Sequence, residues 1–130
     1  MKYSVDKSEK YTILELQEDK LDTIKAPLLK SEFVTLFQAG TTNLILNLTA
    51  VKYIDSSGLS SILVANRLAK DLNGQLILVG ISDHVMKLVK ISKLDGVLNI
   101  LPTLEEAIDF VFLNEIEKDL NSEEDTASED

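Results

Sequence analysis

The apolar residues of this chain change period repeatedly, from the near-continuous runs of buried strands to the three-and-four spacing of helices. Asn43-Leu44-Ile45-Leu46-Asn47-Leu48 and Gln75-Leu76-Ile77-Leu78-Val79-Gly80 are apolar runs of strand length, and a third short strand is expected at about Leu98 to Leu101. A helical pattern separates each from the next. Strands joined through helices imply right-handed parallel crossovers, because a parallel neighbour cannot be reached by a tight turn. The alternation therefore spells a mixed α/β domain.

An earlier pair of stretches, Lys2 to Asp6 and Tyr11 to Gln17, flanks Lys7-Ser8-Glu9-Lys10 and reads as a hairpin, with Ile13, Glu15 and Gln17 alternating against Leu14 and Leu16. It adds antiparallel strands to the sheet. Past the acidic turn Glu18-Asp19-Lys20, the positions Leu29, Phe33, Leu36 and Phe37 define a first helix, with Pro27 in its first turn and Gly40 at its end. Thr49 to Ile54 reads as a connecting loop. A second helix then carries Leu59, Ile62, Leu63, Leu68, Ala69 and Leu72, largely on one face, and stops at Asn73-Gly74. The third spans Ser82 to Ser92, with Val85, Leu88 and Val89 inward. Thr103-Leu104-Glu105-Glu106 has the spacing of a capping box and opens a last helix with Ala107, Ile108, Val111 and Ile116 inward.

With 130 residues, the chain is long enough for one core, burying about two thirds of its unfolded surface. Cysteine is absent, which excludes disulfides, thiol nucleophiles and cysteine-ligated metals. A single histidine, His84, leaves no histidine cluster for a metal, although composition alone leaves an all-carboxylate magnesium site open. Thirteen basic and 22 acidic residues give a net charge of −9, which argues against a nucleic-acid partner. Most of that acidity is local, since eight acidic residues and one lysine lie from Glu115 onward. The expected organisation is a domain over 1–116 and an acidic, disordered tail over 117–130. Neither a signal-peptide pattern at Met1-Lys2-Tyr3-Ser4-Val5 nor an 18-residue apolar run occurs, so a soluble cytoplasmic protein without membrane insertion is expected.

One segment looks chemical. Asp55-Ser56-Ser57-Gly58-Leu59 stands where a loop after a strand becomes a helix, the position at which α/β proteins place ligands and reactive groups. Two readings of it stand. Asp and Ser are preferred N-caps and need no function to explain them. Gly58, however, costs about 1 kcal/mol relative to alanine in a first helical turn, and its lack of a side chain would allow another backbone to approach. No Gly-x-Ser-x-Gly elbow, Gly-x-x-x-x-Gly-Lys-Ser/Thr loop or Gly-x-Gly-x-x-Gly turn is present. His84 reads as a surface residue near a helix start, and Lys87, Lys90 and Lys93 as a solvated face.

Taken together, the hairpin, Leu21-Asp22 with Ala26 four residues on, Ile45-Leu46-Asn47-Leu48, Ile54-Asp55-Ser56-Ser57-Gly58-Leu59 and Leu76-Ile77-Leu78-Val79-Gly80 with Val85 and Leu88 resemble a STAS domain, and more narrowly a bacterial anti-sigma-factor antagonist. The resemblance covers about residues 2 to 112. It implies a single α/β domain, a mixed sheet with an N-terminal hairpin, parallel βα units and helices packed on the sheet. It also implies a binding protein that is not an enzyme and holds no cofactor of its own. Unphosphorylated, such a protein binds an anti-sigma factor that is a serine kinase and thereby frees the sigma factor. The kinase phosphorylates the serine after the motif aspartate, here Ser56, and a metal-dependent serine phosphatase reverses the step. By position, Asp22, Asp55, Ser56, Ser57, Gly58 and Leu59 form the partner-binding set, and the free protein is expected to be a monomer.

Three positions depart from the family pattern. Asp19 stands where glycine is usual before the Leu-Asp turn, Lys20 where an acidic residue is common, and Lys93 where glycine often precedes the leucine at Leu94. Aspartate tolerates left-handed geometry better than most residues, so the turn at Asp19 is expected to persist. An alternative function keeps the same helix face but drops the phosphate cycle, as an accessory subunit of a membrane lipid-transport ATPase. A serine-dependent enzyme is the third class, and no base or oxyanion motif accompanies the serines.

Overall fold

In the computed structural model, the backbone of residues 1–129 and the side chains of residues 1–121 are described. Strands β1 (Tyr3–Lys7) and β2 (Thr12–Leu16) form the expected antiparallel hairpin. Parallel strands β4 (Leu44–Asn47), β6 (Leu76–Val79) and β7 (Asn99–Leu101) extend it into a five-stranded mixed sheet of order β1-β2-β4-β6-β7. Register explains the alternation read in the sequence. Leu14, Leu46, Leu78 and Ile100 lie side by side across the sheet, and one residue earlier Ile13, Ile45, Ile77 and Asn99 do the same on the opposite face.

The leucine face packs under helices α1 (Ala26–Gln38), α2 (Ser56–Asp71) and α3 (Asp83–Ile91), which contribute Leu29, Phe33, Ile62, Ala65 and Val85 to the larger core. The other face packs under α4 (Leu104–Glu129) through Ala107 and Val111. Because each crossover from β2 to β7 moves one strand further along the sheet, all three crossover helices fall on one side. The fourth, following the last strand, is left to cover the reverse.

Helix ends follow the sequence closely. Pro27 lies in the first turn of α1, and Gly40 follows its C-cap with φ +114°. Beyond α2, Asn73 takes the left-handed conformation, φ 59°. Ser82 caps α3 by accepting from the Val85 N–H at 3.2 Å, and Thr103 Oγ1 accepts from the Glu106 N–H at 3.2 Å. At the sheet's opposite end, the buried Asn43 side chain donates to the Lys10 carbonyl and to Glu115 Oε1 and accepts from the Gln75 N–H. One amide thus fastens β2, β4, β6 and α4.

The structure differs from the sequence reading in four places. The turn at Asp19-Lys20 and the loop before Ile54 contain two-residue strands, β3 (Lys20–Leu21) and β5 (Tyr53–Ile54), paired in parallel as a second small sheet. Asp19 does not take a left-handed conformation; its carbonyl accepts from the Lys52 and Tyr53 N–H groups at 2.8 and 3.1 Å. Ile116 points outward and is 55% exposed. Helix α4 also runs without a break through residue 116, so 117–121 continue it as helix. The expectation of disorder made for the acidic run beyond Asn121 falls on residues whose side chains lie outside those described.

Candidate functional site

The paired strands β3 and β5 bring the chain segments before α1 and α2 side by side, and this positions the Asp55-Ser56-Ser57-Gly58 turn. Asp55 is the N-cap of α2, extended at φ −103° and ψ −176°, and its Oδ1 accepts from the Gly58 N–H at 2.9 Å. Its own N–H donates to the Leu21 carbonyl at 3.3 Å. A Cβ on Gly58 would lie 2.4 Å from that same carbonyl oxygen and 2.7 Å from Ile54 Cγ1. The close approach of another backbone is therefore the reason for glycine here.

Thr23, unmarked in the sequence, is the link between the two segments. Its hydroxyl donates to Asp55 Oδ2 at 3.3 Å and lies 3.3 Å from Ser57 Oγ. Ser56, the first residue of the helix, is exposed, whereas Ser57 is half-buried and engaged with Thr23. The two serines are thus chemically distinct. Ser56 is the serine exposed to solvent, and it stands at the positive end of the α2 dipole.

Asp22 lies in the adjoining turn as expected, and its carboxylate has a local task. Oδ1 accepts from the Ile24 and Lys25 N–H groups at 3.1 and 3.2 Å, which sets the entry to α1. Lys25 forms a 2.9 Å ion pair with Glu18. Glu18 also accepts from the Lys2 N–H at 2.9 Å. These bonds, led by the one from Lys2, hold the Glu18 carboxyl below its ordinary range, and Glu18 in turn raises the Lys25 ammonium. The loop carrying Asp22 is fastened from below.

Of the six residues expected to face a partner, Asp22, Asp55, Ser56 and Ser57 reach the surface. Gly58 and Leu59 are buried. Leu59 opens the core-facing stripe of α2 that continues at Ile62, Ala65 and Ala69, so it supports the turn from within.

Two shallow depressions flank Ser56. One runs toward α1 past Thr23, Pro27, Lys30 and Ser60. The other runs toward α3 past Tyr53, His84, Lys87, Leu88 and Ile91. His84 is exposed, as expected, and stacks on Tyr53 with ring centroids 5.2 Å apart and 26° between planes. Tyr53 and Ile91 expose apolar surface there, Ile91 to 71%. Exposed apolar side chains beside small hydroxyls and scattered cations form a surface suited to another protein. Among the described residues, no group of three or more His, Asp or Glu side chains is placed to hold a metal ion. Nor is any helix among them long and apolar enough to cross a membrane.

This architecture, a mixed sheet carrying a serine turn at a helix start, is that of the STAS domain, whose family pattern matches residues 2–107. The chain belongs to that family. It is 29% identical over 102 residues to BtrV of Bordetella bronchiseptica, named as an anti-sigma factor antagonist, covering 78% of this chain and 84% of that one. A Thermotoga maritima protein described as an anti-sigma factor antagonist superposes with TM-score 0.75 at 24% identity, over 84% of this chain and 93% of its own. The Bacillus cell fate determinant SpoIIAA in its phosphorylated form superposes with TM-score 0.67 at 25% identity, over 85% of this chain and 99% of its own.

Proposed function

We propose that the protein is an anti-sigma-factor antagonist whose binding is switched at Ser56. Unphosphorylated, it binds an anti-sigma factor that is a serine kinase; phosphorylated on Ser56 by that kinase, it is released; a metal-dependent serine phosphatase restores it. The observation that carries this reading is the contrast between the two serines. Ser56 is exposed at the first position of α2, while Ser57 is held against Thr23. A kinase needs an accessible hydroxyl.

Magnitudes support a switch in binding with the fold kept. A phosphoryl group adds about −1.5 to −2 charge, which a helix N-terminus accommodates with up to about 2 kcal/mol of stabilisation. At an interface the same group stands beside the Asp55 carboxylate and must shed water. A loss of only about 3 kcal/mol of binding energy weakens association roughly a hundredfold. In this mechanism the protein performs no catalysis and is the kinase's substrate.

The test is a pull-down from the source cell's lysate with wild-type, Ser56→Ala and Ser56→Asp baits, with phosphate mapped on the wild type. Recovery of a serine kinase by wild type and Ser56→Ala, its loss with Ser56→Asp, and phosphate on Ser56 are the expected results. Thermal unfolding of Ser56→Asp at or above the wild-type midpoint shows that the loss is not unfolding. Recovery of membrane-transporter subunits by all three baits, with Ser56 unmodified, would replace the switch by a constitutive docking surface.

A further inference from the structure

Helix α4 carries an apolar stripe that the domain does not use. Leu113, Ile116 and Leu120 are 63%, 55% and 54% exposed, with Phe112, which packs edge-on against Tyr11, at their margin. Spacings of three and four residues place them on one side of the helix. At about 100° per residue, Ile116 stands opposite Ala107, the side chain by which the helix is buried in the sheet. The stripe is therefore the solvent face of α4.

The charge around it narrows what can cover it. Exposed Asp109 continues the stripe toward the N-terminus, and exposed Glu117 and Asp119 border it. Over residues 104–121 the helix has six carboxylates and one ammonium, Lys118. Lys118 is committed to Glu115 and to the Asn73 carbonyl on the buried side. The sequence from Ser122 to Asp130 adds five acidic residues and no basic one. A second copy laid along this stripe, parallel or antiparallel, would set like charges against each other. An anionic membrane surface is repelled for the same reason.

We infer that the outer face of α4 is a second interaction surface, for a basic amphipathic helix of a partner protein. Leucine-type side chains of that helix would cover Leu113, Ile116 and Leu120, and its lysines or arginines would meet Asp109, Glu117 and Asp119. The stripe lies across the sheet from α1, α2 and α3, so this contact is independent of Ser56 and of the function proposed for it.

The experiment titrates the full-length protein into a fluorescently labelled synthetic helix of about 18 residues, with leucines at a three-four spacing flanked by lysines. A peptide of identical composition, shuffled to destroy the stripe, is the control. The stripe peptide is expected to bind at least about tenfold more tightly than the shuffled one and to weaken between about 50 and about 300 mM salt. Leu113→Ser/Ile116→Ser/Leu120→Ser, and separately Glu117→Lys/Asp119→Lys, are each expected to cost about tenfold with unchanged circular dichroism, while Ser56→Asp costs nothing. Equal binding of the two peptides, or undiminished binding by the serine variant, overturns the inference. So does a wild-type dimer in sedimentation velocity that the serine variant abolishes, because the stripe's occupant is then a second copy.

Discussion

The Leu21 carbonyl oxygen and Gly58 occupy adjoining space, so close that a methyl group on Gly58 would stand 2.4 Å from the oxygen. That carbonyl is also the acceptor for the Asp55 N–H. A single backbone oxygen thus supports the N-cap of α2 and fixes how near the helix may come to β3. Gly58→Ala gains about 1 kcal/mol of helix propensity, yet it forces backbone atoms apart at a cost of about 1–3 kcal/mol. We expect net destabilisation, together with weaker partner binding because the Ser56 turn is displaced. Urea denaturation measures the first; a variant as stable as wild type would mean that the strand yields easily.

Asp55 combines an N-cap bond to Gly58 with a bond from Thr23, so its removal releases both segments at once. Asp55→Ala is expected to lower stability by about 1 kcal/mol, within the usual range for a lost cap, and Asp55→Asn by much less, since the amide oxygen caps nearly as well. Equal losses for the two variants in denaturant titrations would assign the effect to charge and not to capping.

How far this site could be read in advance depended on sequence distance. The cap at Asp55, the glycine three residues on and the capping threonine at Thr103 are local signals, each complete within four residues, and the structure has them where the sequence put them. Strands β4 and β6 were legible for a similar reason, because short apolar runs bounded by polar residues have few ways to be buried, whereas their register came only with the structure. Thr23 was invisible, since its partners Asp55 and Ser57 lie 32 and 34 residues away. Strands β3 and β5, of two residues each, are too short to show any period. Ile116 was misread against the helical period itself, which at about 100° per residue sets it opposite the buried Ala107 and so on the solvent face.

Lys93 gives physical content to a departure that the sequence only flagged. Its φ of 60° is left-handed, directly after α3, and the next N–H, that of Leu94, closes the helix end by donating to the Val89 carbonyl at 3.0 Å. A side chain in this conformation costs about 1–2 kcal/mol, part of which glycine gives back through the greater freedom of the unfolded chain. Lys93→Gly should therefore raise stability by about 0.5–1 kcal/mol, measured by denaturant midpoint. An unchanged or lower midpoint would show that the lysine makes a compensating contact.

Glu115 connects the last helix to the sheet and does so as a carboxylate. The hydrogen bond from Asn43, at 2.9 Å, is the main reason its carboxyl is held below the ordinary 4.5, with Lys118 contributing and burial opposing. A depressed folded-state pKa fixes the sign. In the unfolded chain the group takes up its proton near the ordinary value, whereas the folded chain resists until lower pH. The stabilisation is thus complete above that ordinary value and is lost as pH falls through the folded one. Glu115→Gln keeps an oxygen for Asn43 but cannot titrate. From about pH 6 to about pH 3 the melting temperature of wild type should fall more steeply than that of Glu115→Gln, so the gap between them narrows with acid. Parallel curves would mean that the Asn43 bond holds α4 equally well with a neutral partner.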